Sequence, residues 1–180
     1  MMKKSLLLLT LGLPLAMGCQ KDKEAEPSTI DFGAGEGISY RNAMNYPMAY
    51  TDPTDWTSDK QWSSREKALF SFPVAVNLDQ APTGVTTNMS FYPNPVEPGG
   101  IGMFRPNSTT EGTLRLIWVD KNYKVVSTHE QALVKNMEMR FQFPETTFPR
   151  EQKYRLYYVL YKADGTLIYK GHGDVHIHQQ

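Results

Sequence analysis

The sequence predicts an all-β fold, a single immunoglobulin-like β-sandwich of seven or eight antiparallel strands, and three observations carry that prediction. The chain holds ten Tyr, eight Phe and three Trp, residue types that fill pleated, half-buried surfaces. Thirteen Gly and twelve Pro supply frequent turns. Short apolar–polar alternations recur in the second half between polar clusters, at the spacing of sandwich strands. A length of 180 residues suits one domain with a real core.

The first element is not part of the fold. Met1 to Gly18 has the three parts of an export signal: Lys3 and Lys4, an apolar run from Leu6 to Met17, and small Gly18 before Cys19. The run is too short to cross a bilayer as a helix, which takes roughly 20 residues. Residues 19–39 follow as a charged, then Gly-, Pro- and Ser-containing linker, in which Ile30 and Phe32 could pair at most as a weak first strand. Residues 40–67 form an irregular aromatic segment containing Trp56 and Trp62. Ser58 or Asp59 caps a short helix there that ends near Leu69.

The sandwich occupies residues 68–180. Leu69 to Leu78 alternates around Pro73, which reads as an edge or bulged strand because proline donates no ladder hydrogen bond. Thr86 to Tyr92 is a second strand, 93–100 a loop, and Ile101 to Phe104 a short strand. Two hairpins follow the same plan. One joins 113–120 to 123–127 through Lys121-Asn122, and the other joins 153–162 to 166–170 through Ala163-Asp164-Gly165, where Asp-Gly is a strong hairpin cue. Between them, Met137 to Phe143 alternates strictly, with Met137 and Met139 on one face as core residues. Val175 to His178 closes the sheet.

Composition excludes some functions. The net charge is zero, and removing Lys3 and Lys4 leaves a slightly acidic chain, unlike a nucleic-acid binder with its basic surface. Cys19 is the only cysteine, so there is no internal disulfide and no cysteine metal cluster. The chain lacks a Gly-x-Ser-x-Gly elbow, a phosphate loop and a dinucleotide fingerprint. No catalytic residue is assigned, and a non-enzymatic role is expected.

Leu15-Ala16-Met17-Gly18-Cys19 resembles the lipobox of bacterial lipoproteins. The resemblance implies cleavage after Gly18, a diacylglyceryl thioether and N-acyl chain on Cys19, and anchoring in the outer membrane. Each buried methylene contributes about 0.8 kcal/mol, so two or three acyl chains hold durably. The charged run Gln20 to Glu26 is similar to the surface-export signal of Bacteroidota lipoproteins, and implies cell-surface exposure; its other reading is a solvated tether. Phe91-Tyr92-Pro93-Asn94-Pro95 and the hairpin around Val119 to Val125 resemble type IX secretion sorting domains, which are also small β-sandwiches. The Pro-Asn-Pro stretch reads equally as a turn between strands.

Two groups are candidate sites. His172, Asp174, His176 and His178 share one face if 171–179 is a strand. His-x-His on a strand can hold zinc, so His172, His176 and His178 are candidate ligands, with Asp174 joining or orienting a ring. The alternative is an exposed polar last strand. Trp56 and Trp62 could stack on a carbohydrate, or pack on the sheet as a lid. The expected function is a lipid-anchored binding or accessory subunit of an envelope complex, with a protein partner or a glycan ligand. The alternatives are a metal-binding protein or enzyme using the His cluster, and a structural, assembly or secretion-sorting module.

Overall fold

Turn chemistry lays down the central sheet. In the computed structural model, which describes residues 27–179 except 34, 36, 49, 85 and 87, β3 (Gly112–Val119) and β4 (Val125–Leu133) meet at a turn built by Asp120. The Asp120 carboxylate accepts the backbone N–H groups of Asn122 and Lys124, an Asx-type turn. Likewise β6 (Gln152–Tyr161) and β7 (Leu167–Ile177) meet where Gly165 takes a positive φ of 83° and Asp164 accepts the Thr166 N–H. Both expected hairpins are therefore present, and they join into one antiparallel sheet of order β4-β3-β6-β7. The other sheet, β1 (Ser90–Tyr92), β2 (Ile101–Arg105) and β5 (Met139–Gln142), is antiparallel with order β1-β2-β5. Among the described residues the protein is an all-β sandwich of seven strands. Cys19, Gly18 and the charged run lie outside the described residues.

The sandwich core lies between the sheets. Phe91, Phe104 and Met139 from one sheet, with Phe143 just beyond β5, meet Leu116, Trp118, Leu156, Tyr158, Val175 and Ile177 from the other. The opposite face of the larger sheet is buried as well: Ile117, Val119, Tyr157, Val159 and Tyr161 lie under Ile30, Trp62, Phe70, Phe72 and Leu78. Strands β3 and β6 are thus covered on both faces, which is why both read as near-continuous apolar runs.

That second cover corrects several expectations. The linker reading of 19–39 fails at its end, because Ile30, Ile38 and Ser39 are buried. Residues 69–78 are not a strand but a bent segment that lays Phe70, Phe72 and Val76 on the sheet. The same alternation that marks a strand here serves a covering layer, with Pro73 denying it a ladder. The helix α1 (Ser64–Ala68) begins later than expected, because Ser63 and Glu66 make a reciprocal capping box that outcompetes Ser58 and Asp59. The expected closing strand at 175–178 is instead the end of a continuous β7.

Trp56 and Trp62 separate. Trp62 is the expected lid on the outer face, edge-on to Tyr157 and stacked on Phe70. Trp56 instead enters the inter-sheet core, stacked on Phe91 with ring centroids 5.7 Å apart. It enters over the edge of β7, where its backbone N–H donates to the His172 carbonyl. Gly173 makes this approach possible, since a Cβ there would fall 2.3 Å from the Trp56 ring. Gly173→Ala should therefore overpack the core and cost about 1–3 kcal/mol. Urea unfolding measures this as a lower midpoint, and an unchanged midpoint would contradict the seating of Trp56.

Candidate metal centre at the end of the last strand

A single extra residue in β7 decides which side chains can form a site. Leu160 pairs with Tyr169 but Tyr161 pairs with Leu167, so Ile168 is a bulge. Leu167 belongs to the outer cluster, whereas Ile168 and Tyr169 both belong to the inter-sheet core. Beyond the bulge the even-numbered residues take the outer face. Lys170, His172, Asp174 and His176 lie opposite Val159, Tyr157, Arg155 and Lys153. The expected sharing of one face therefore holds within the strand, but the side chains do not form one group.

Lys170 is fully buried; its Nζ donates to the Lys60 carbonyl and lies 5.8 Å from the Trp62 ring centroid. His172 Nδ1 donates to Asp59 Oδ2 at 2.7 Å, and the same oxygen accepts Trp62 Nε1–H at 2.7 Å. Burial works to lower the His172 pKa, but the Asp59 hydrogen bond carries it above the usual value. Asp174 receives a bidentate pair from Arg155, both contacts at 2.7 Å, while Arg155 also donates to the Asp31 carbonyl. Burial pushes the Asp174 carboxyl up against the opposing pull of Arg155.

Two further residues complete this network. Asp55 accepts the Asp174 N–H at 2.8 Å and the Ser39 N–H at 2.7 Å. Burial, then the Asp174 charge, pushes its pKa up to about 7. Asn94, in the Pro-Asn-Pro turn, donates to the Ser39 and Asp174 carbonyls and accepts the His176 N–H. The turn thus fastens the N-terminal segment to β7.

Past this network the stripe reaches the surface. Glu151, His176 and His178 each offer a ligand atom, and these atoms all lie within 4.8 Å of one another. His178 Nδ1 donates to Glu151 Oε2 at 2.8 Å, and the two imidazole rings stack with centroids 5.1 Å apart. That hydrogen bond from His178 holds the Glu151 carboxyl below its ordinary range. The backbone beneath is fixed: Glu151 N–H donates to the Ile177 carbonyl, Val96 N–H to the His176 carbonyl, and His178 N–H to the Val96 carbonyl.

The candidate ligand set is corrected accordingly. His172 is engaged with Asp59 and is not in this group, and Glu151 takes its place. Glu151 lies far from the histidines in sequence, and only the observed register of the Asp-Gly hairpin brings it to them. With the bulge included, counting outward from the turn sets Gln152 against Ile177, and the next pair is Glu151 with His178. Trp56 and Trp62 are only 6% and 7% exposed, so neither presents a ring face for a sugar.

Beside the cluster, Tyr40, Arg41, Met48, Asn94, Pro95 and His178 line a groove of about 330 Å³. It adjoins a finger, residues 40–48, whose Met44, Tyr46 and Met48 are 74%, 62% and 54% exposed. A larger open depression of about 560 Å³ lies between the β3–β4 turn and the 144–149 loop. Its carboxylate, Asp120, is already committed to that turn. No protein-family model matches the chain, and no curated protein matches its sequence.

The Asp55 carboxyl gives a pH test. Its folded pKa, about 7, lies above the ordinary 3.8, so the folded state binds its proton more tightly. The stability this contributes is present below about pH 4 and is lost as pH rises through 7. Asp55→Asn stays neutral throughout. The melting temperature of the wild type minus that of the variant should therefore fall between pH 4.5 and 7.5; parallel profiles would contradict the assignment.

Proposed function

We propose that this chain is a lipid-anchored outer-membrane protein of the Bacteroidota type. Its sandwich would serve as a non-enzymatic binding or accessory module of an envelope complex. One observation carries the reading: the chain's lone cysteine stands between an apolar leader and a charged run. A lipid on Cys19 would also hold the domain close to the membrane. Among the described residues burial begins at Ile30, and the first of them, Pro27, can stand no farther than roughly 30 Å from Cys19. The exposed Met44, Tyr46 and Met48 supply an apolar contact surface of the kind that meets a protein partner. The finer immunoglobulin-like designation draws support from the strand order, with β1, β2 and β5 facing β4, β3, β6 and β7.

Metabolic labelling with a palmitate analogue, followed by membrane fractionation, tests the anchor. Wild type should carry the label and sediment with membranes, and Cys19→Ser should lose both properties. An unlabelled wild type, or a variant that stays fully with the membrane, would overturn the reading.

The binding surface is tested separately. A photo-crosslinking residue in place of Met44 should capture a defined partner band in cells. The same substitution at exposed Thr128 of β4 should not. Identical bands from both positions, or none from Met44, would remove the finger as the contact surface.

A further inference from the structure

We infer that Glu151, His176 and His178 form a binding site for a divalent transition metal of the zinc class, with one coordination position left for water or for a donor atom of a ligand. Two imidazole nitrogens and a carboxylate oxygen are donors that zinc accepts in tetrahedral sites, where three protein ligands leave the fourth position open. The nitrogen-rich set disfavours calcium and magnesium, which take oxygen ligands.

Distance and mobility agree with this assignment. Ligand bonds of about 2.0–2.2 Å place tetrahedral ligand atoms roughly 3.3–3.5 Å apart. The three atoms already lie within 4.8 Å, so side-chain rotation of about an ångström closes the set. Glu151 and His178 can make that adjustment, their side chains being 55% and 44% exposed. The backbone under them need not move, since it is tied through Ile177 and Val96. Metal binding would replace the Glu151–His178 hydrogen bond with two coordinate bonds.

Two neighbouring features sharpen the site. Asn94 accepts the His176 N–H, and its own backbone exchanges hydrogen bonds with Arg41 at the base of the finger. His178 also lines the groove beside Met48 and Pro95. A donor group reaching the fourth position would thus lie against an apolar wall.

The test uses tag-free, full-length protein purified in detergent, stripped with chelator and dialysed against Zn²⁺ at pH 7.5. Wild type, His129→Gln and His172→Gln should each bind one equivalent, and excess Ca²⁺ should not displace it. Glu151→Gln and His178→Gln should each bind at least ~10-fold more weakly, a loss that even outer partners of a metal can cause. The double variant His176→Gln, His178→Gln should bind none. Co²⁺ in place of Zn²⁺ should give the intense visible absorption of a tetrahedral site, lost in the same variants. Absence of saturable Zn²⁺ binding, undiminished binding by the variants, or loss of binding in His172→Gln would each overturn the proposal. Exposed Glu151 and half-buried His178 lie at the surface end of the stripe, so their single variants keep the test decisive if the double variant fails to fold.

Discussion

The Arg155–Asp174 ion pair is the constraint around which the rest of this structure is arranged. It sits on the outer face of the larger sheet, with the two side chains only 10% and 2% exposed. Two charges taken out of water cost several kcal/mol each, and they persist only where hydrogen bonds satisfy their remaining atoms. Here the sheet alone cannot supply those bonds. The Asp31 carbonyl takes one guanidinium N–H, while Asp55 and Ser39 fix the backbone beside the carboxylate. The N-terminal segment therefore belongs to the fold: it buries the pair and completes its hydrogen bonding. The same segment lays Trp62, Phe70 and Phe72 over the apolar part of that face. Apolar burial drives the docking, and the polar network fixes its register.

What the sequence revealed follows from how local each signal is. Asp120 and Asp164 act within their own turns, so both hairpins could be read from a few residues. The shared outer face of His172, Asp174 and His176 follows from strand periodicity alone. The bulge at Ile168 left no such trace, because Leu167-Ile168-Tyr169 is apolar throughout and alternation cannot locate an extra residue there. A one-residue slip would have turned Lys170 and Asp174 into the inter-sheet core. The aromatic segment was opaque for a related reason. Its alternation at 69–78 matches a strand, and only the already completed sheet order tells a covering layer from a further strand. Trp56 was misread because its place depends on Gly173, more than a hundred residues away.

The candidate site was legible in part for the same reason. Two of its three residues lie on one short stretch, and the third, just before β6, is set beside them by the hairpin register. His172 drew attention because it shares the spacing of His176 and His178. Spacing places a residue on a face, but the elements packed on that face decide what it touches. Asp59 and Trp62 reach His172 from the covering layer and occupy it.

The outer stripe of β7 thus changes character along its length. Lys170 and Asp174 are buried and held by protein partners; His176 and His178 are half-buried, and Glu151 beside them is exposed. The covering layer ends before it reaches them, so the periodicity that builds an internal network at one end presents donors to the outside at the other. Asn94 stands at the transition. It bonds Ser39 and Asp174 on the buried side, His176 on the open side, and Arg41 at the finger. The Pro-Asn-Pro turn therefore has a structural task independent of any sorting resemblance. It joins the finger, the last strand and the histidine pair at one corner by hydrogen bonds. Met48 of the finger and His178 line one groove, so the finger and the proposed metal site share one support.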